Sequence, residues 1–194
     1  MLDRRALLTA SLVLAPFSAW ATPTDWSERL VRAAASQIGR TIRYDPAYVR
    51  LNYPGGDIPL DRGVCSDVVV RAYRQGLGID LQQQVHEDMA AHFAAYPKTW
   101  GLSRPDRNID HRRVPNLETF LRRRGAALPA GSAWRAGDLV TQRLPGNLPH
   151  ILILDTALAA PGRPMAIHNV GAGARREDVL KAWPIAGHFR YPGA

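Results

Sequence analysis

The chain changes its periodicity once. Up to about residue 125 its apolar residues recur at helical spacing. Beyond residue 138 they crowd into short β-rich runs parted by glycine and proline. Helices first and strands afterwards predict an α+β domain, with N-terminal helices packed on a small antiparallel sheet. Four segments carry the helical pattern. In residues 26–38, Leu30, Ala33, Ala34 and Ile38 share a face, and Gly39 ends the run. Residues 66–75 align Val69, Ala72 and Tyr73, with Gly76 or Gly78 as the stop. Residues 81–96 set Leu81, Val85, Met89 and Phe93 in register. Residues 115–124 turn Leu117, Phe120 and Leu121 inward and close at Gly125. The strand-like runs are 138–143, 150–156, 165–170 and 188–191. Segments 44–63 and 97–114 read as loops. With no repeat, low-complexity tract or linker, a single domain over residues 22–194 is expected.

Residues 1–21 read as a secretory signal peptide: Arg4 and Arg5, then an apolar run over 6–15, then Ala19-Trp20-Ala21 as a cleavage site. Arg4-Arg5 leaves ordinary and twin-arginine export both open. The run is too short to span a membrane. The expected location is the periplasm. The formal net charge is +8, nearly all of the excess being arginine. That favours an anionic partner such as cell-wall peptide carboxylates or an anionic surface. A nucleic-acid role fits an exported chain poorly, and a monomer is expected.

The chain has one cysteine, so no disulfide can form within it. Cys65 opens the second helical segment. There the free N–H groups of a first turn favour a thiolate and can also hold an oxyanion. A nucleophile needs a base, and the base needs an orienting partner. His150 opens the apolar run "HILILD", and His168 lies in the next strand-like run, "MAIHNVG". His86 and His92 fall at the surface or boundary of the third helical segment. In the charge-rich loop, Arg104, Arg107, Arg112 and Arg113 are candidates to bind carboxylates, with a solvated loop as the alternative. Asp110 and His111 are candidates for a structural pair that fixes the loop, or for a second functional cluster. A zinc hydrolase would need convergent ligands, and there is no HExxH; His150, His168 and Asp155 would be its best set. No metal and no cofactor is expected.

"YPGGDIPLDRGVCSD", "WRAGDLVTQRL", "PHILILD" and "AIHNVG", in this order, resemble the NlpC-type cell-wall peptidases, which are papain-like cysteine hydrolases. The likeness runs from about Tyr53 to Val170. The whole chain, with "NIDHRRVPNL" and "WPIAGHFRY", is still more similar to the bacterial domain-of-unknown-function family 1287. The resemblance implies a papain-like single domain. It makes Cys65 the nucleophile, His150 the general base and His168 its orienting partner. Tyr53 would line the substrate groove, and Ser66, Asp67 and Arg112 would be substrate-binding. It implies a periplasmic cysteine amidase or endopeptidase acting on peptidoglycan stem peptides through a thioester acyl-enzyme. The alternatives are an inactive papain-like binding module and a cysteine acyl hydrolase acting on lipid. Val64 and Asp67 stand where the peptidase pattern has Asp before the Cys and Gly after the Ser. That Asp helps receive a free stem-peptide amino terminus. Asp67 would either take over the role or favour the helix N-terminus.

Overall fold

The computed structural model describes residues 25–193; the segment read as a signal peptide lies outside them. Helix α1 (Asp25–Ala35) lies against α2 (Cys65–Leu77). The contact is made by Leu30, Val31 and Ala34 on one side and Val68, Val69, Ala72 and Tyr73 on the other. Of the two expected stops for α2, Gly78 is the real one. It takes the left-handed conformation at φ 68°, and its N–H reaches the Arg74 carbonyl at 3.1 Å. Gly76 lies inside α2, where a Cβ would stand 2.7 Å from the Arg29 carbonyl oxygen. Its missing side chain is what lets α1 come close. Because α1 stops at Ala35, Ile38 is left exposed and does not extend the apolar face.

Helix α3 (Leu81–Ala91) starts under an Asp80 cap, whose carboxylate accepts the Gln82 N–H at 3.0 Å. It ends a turn earlier than the periodicity predicts. A short 3-10 turn, Phe93–Ala95, follows, and Tyr96 is the residue that enters the core there. Helix α4 (Val114–Arg123) has Pro115 in its first turn, where a missing N–H costs nothing.

The β-rich part forms one five-stranded antiparallel sheet in the order β6-β5-β4-β3-β7. Its strands are β3 (Leu139–Leu144), β4 (Leu148–Ala160), β5 (Arg163–Asn169), β6 (Ala174–Glu177) and β7 (Ile185–Phe189). Ile151, Ile153, Ile167, Leu139 and Phe189 pack with the helices. Leu152, Leu154, Val140 and Ala166 form a second cluster on the other face, with Leu180, Trp134 and Val179. Burial on both faces explains why β4 reads as a continuous apolar run rather than an alternation. Strand β6 was absent from the pattern because its sequence, ARRE, has no apolar alternation.

The loop before Cys65 begins and ends in a two-residue parallel pair, β1 (Arg43–Tyr44) with β2 (Arg62–Gly63). Buried arginines brace it from inside. Arg71 binds Asp57 through two nitrogens, at 2.8 and 3.0 Å, and also the Ile58 and Arg62 carbonyls. Arg112 takes the Asp45 and Ala47 carbonyls at 2.9 and 2.7 Å. Among the described residues no helix is long and apolar enough to cross a membrane.

Candidate active site

Cys65 is the first residue of α2 and is buried in the core facing the sheet. The Val64 N–H donates to Asp67 Oδ2 at 2.7 Å, which closes the helix N-terminus. The backbone N–H groups of Ile151, Ser66 and Cys65 itself favour the thiolate. Burial outweighs them. The Cys65 thiol is pushed up to about 11, first by desolvation and then by the Asp67 carboxylate. The structure thus corrects the expectation of a thiolate-favouring helix start: the resting group is a neutral thiol.

His150 and His168 come together as expected. His150 Nε2 lies 2.9 Å from His168 Nδ1. His168 Nε2 in turn lies 3.0 Å from Glu177 Oε2, on β6. This chain fixes the tautomers. A carboxylate only accepts, so His168 donates from Nε2; its Nδ1 then accepts, and His150 must donate from Nε2. His150 Nδ1 is left with the free lone pair, the nitrogen a general base needs. Burial holds both imidazoles neutral. It pushes His150 down to about 3, with His168 adding to the effect, and pushes His168 below its ordinary value against the opposing pull of Glu177. Glu177 was not foreseen from sequence. The signal was there: Gly171 and Gly173 make a hairpin turn between His168 and the acid that ends β6.

No hydrogen bond joins Cys65 to His150. The thiol packs with Ile151, one residue further along β4, in the cluster between α2 and the sheet. Alternation along the strand turns His150 with Leu152, and its ring centroid lies 6.1 Å from that of Trp183. Of the three predicted catalytic residues, His150 and His168 are in contact, while Cys65 packs on the opposite face of the sheet, with Ile151, Ile153 and Ile167.

Of the residues predicted to bind substrate, Arg112 alone lines the cleft at Cys65, and its guanidinium is engaged within the protein. Asp67 and Arg112 form a buried two-pronged ion pair, at 2.9 and 3.0 Å. Ser66 donates its hydroxyl to the Arg112 carbonyl at 2.7 Å. These three polar groups are turned inward onto one another, where losing either charge of the pair costs about 3–5 kcal/mol. They fasten α2 to the loop. Asp67 thus acts at the helix N-terminus, the second of its two expected roles. Tyr53 packs edge-on against His86, with ring centroids 5.2 Å apart, and does not line the cleft at Cys65. Tyr44 does, with Val64, Trp100, Arg113 and Pro149, around a space of about 230 Å³. Asp110 and His111 do not pair. Asp110 Oδ2 takes His86 Nδ1 at 3.2 Å and the Asp106 N–H at 2.7 Å. His111 is buried with Nδ1 unpartnered, and desolvation, followed by Arg112, pushes it down to about 3. Asp155 pairs with Arg176 and stands apart from both strand histidines. Among the described residues no group of three or more His, Cys, Asp or Glu converges in a way that could hold a metal ion.

Residues 31–191 match the family described as "Domain of unknown function (DUF1287)". The chain is also similar to "Uncharacterized protein YijF" of Escherichia coli (strain K12). The two are 56% identical over 161 residues, which is 81% of this chain and 78% of that protein.

Proposed function

We propose that this chain, which belongs to the DUF1287 family, is a papain-like cysteine amidase or endopeptidase acting outside the cytoplasm on peptidoglycan stem peptides. The observation that carries the reading is the Glu177–His168–His150 chain, which leaves His150 Nδ1 as a neutral base. His150 adjoins in sequence Ile151, which packs in the same cluster as the only cysteine. Cys65 gives its proton to His150 Nδ1 as its sulfur attacks an amide carbonyl carbon. The free N–H groups of the first turn of α2 take up the developing oxyanion. The tetrahedral adduct collapses to a thioester, and His150 returns the proton to the leaving amine. His150 then deprotonates water, which attacks the thioester and releases the acid and the thiol. The neutral resting pair suits proton transfer in step with attack rather than a preformed ion pair. His150 projects from the Leu152 face of β4, opposite the Ile151 face that packs with Cys65, so engagement requires the exposed start of β4 at Leu148 and Pro149 to shift and not a ring rotation alone. Bonds of this kind tighten only when substrate is bound.

Hydroxylamine trapping tests the covalent route. Added during turnover of a soluble stem peptide, it intercepts a thioester as the hydroxamate. The expected result is hydroxamate from the wild type and none from Cys65→Ala. Equal hydrolysis by Cys65→Ala overturns the reading.

A second reading is an inactive binding module. It is favoured by the buried neutral thiol and by the absence of a Cys65–His150 hydrogen bond. It predicts stem-peptide binding with no turnover by the wild type.

A further inference from the structure

A second cavity shares no lining residue with the cleft at Cys65. It holds about 770 Å³ and is walled by residues 48–51, by His86 of α3 and by residues 102–108. Its lining carries three arginines, Arg50, Arg104 and Arg107, against one carboxylate, Asp106. That carboxylate is already engaged: Oδ2 accepts from the Tyr48 hydroxyl at 2.9 Å, and Oδ1 from the Asn108 backbone and side-chain amides at 2.9 and 2.8 Å. None of the three arginines makes an ion pair among the described residues. Arg107 lies over the Tyr53 ring, 5.8 Å from its centroid.

The walls are fixed independently of any ligand. The Leu51 N–H donates to Asn108 Oδ1 and Asn108 Nδ2 to the Tyr48 hydroxyl, both at 2.9 Å, so the two loop segments are stitched together. Gln82 of α3 donates to the Arg107 carbonyl at 3.1 Å, and buried Asp110 holds His86 by Nδ1. A concave, braced space with unpaired guanidinium groups is built for discrete planar anions, which arginine binds in a fork. A flat membrane surface would not enter it. The cleft at Cys65 is formed from the neighbouring parts of the same two segments: Tyr44 and Pro46 from one, Trp100, Ile109 and Arg113 from the other.

We propose that this cavity is the subsite that receives the free carboxylates of the substrate cleaved at Cys65, through Arg50, Arg104 and Arg107. This rests on the hydrolase reading above. It defines the substrate class as an acidic peptide with carboxylates off the scissile bond.

The test measures binding by calorimetry in the Cys65→Ala protein. The probes are the tripeptide alanyl-γ-glutamyl-diaminopimelate with free carboxylates and the same peptide fully amidated. The free acid should bind about tenfold more tightly. The triple variant Arg50→Gln, Arg104→Gln, Arg107→Gln should bind both with the affinity of the amidated form. The single variant Arg104→Gln, an exposed change, should lose part of the difference. Equal binding of the two peptides, or a preference that survives the triple change, overturns the subsite. Arginine-dependent binding of inorganic phosphate, or of anionic phospholipid vesicles, without a peptide preference also overturns it. Wild-type hydrolysis of both peptides at one kcat/KM sinks the subsite and leaves the hydrolase standing. Arginine-dependent binding of the acid without any hydrolysis does the reverse.

Discussion

At the scale of single residues, Cys65 departs most from what its position in the sequence suggests. Its place at a helix start is legible from "GVCSD", and a helix start ordinarily lowers a thiol pKa. The opposing term, full burial beneath β4, is a tertiary fact that no local pattern carries, and it wins. The consequence is measurable. Alkylation of the free protein by iodoacetamide should be slow at pH 6 to 8 and climb toward pH 11, since only the thiolate reacts. Fast labelling at pH 6 would mean that the ion pair is already formed at rest. Asp67 and Arg112 teach a related lesson. Each looks available for a ligand in the sequence, and only the fold shows that each is the other's partner.

Among the elements, the helices were legible because their apolar residues keep one period for a whole element, and the four apolar strands because they are short β-rich runs parted by glycine and proline. Strand β6 was not, having two arginines and an acid in four residues. Yet β6 supplies the group that sets the tautomers of both strand histidines. Glu177→Gln keeps the shape but replaces a pure acceptor with an amide that can also donate to His168. His150 Nδ1 is then no longer reserved as the base. The expected loss is about 10²-fold in kcat with little change in KM, and Glu177→Asp should recover part of it. An unchanged kcat with a raised KM would move Glu177 from positioning the base to binding substrate. The early end of α3 has a simpler cause. The apolar register ran on to Phe93, but the side chain that the core accepts is Tyr96, with its hydroxyl on Asp88 at 2.7 Å.

The whole molecule buries three histidines in the neutral form, His111, His150 and His168. The unfolded chain binds protons at these positions near the ordinary value of 6.5, while the folded chain holds His111 and His150 down to about 3. Below 6.5 the unfolded state therefore carries more protons, and stability falls as pH drops through that window. Asp80, Asp88, Asp106 and Asp138 are all held below their ordinary 3.8 and extend the loss at lower pH; Asp110, raised by burial, works the other way. Tm should decline steadily from pH 7 to pH 4, and His111→Gln should flatten the decline. A Tm independent of pH over that range would contradict the buried neutral state. Cleavage of the wall by Cys65 is what we propose. Its most direct test is a digest of purified peptidoglycan by the wild type and by Cys65→Ala, with products read by mass spectrometry. New fragments from the wild type alone are the predicted result, and their masses identify the bond. The same fragments from both proteins, or none from either, would contradict it.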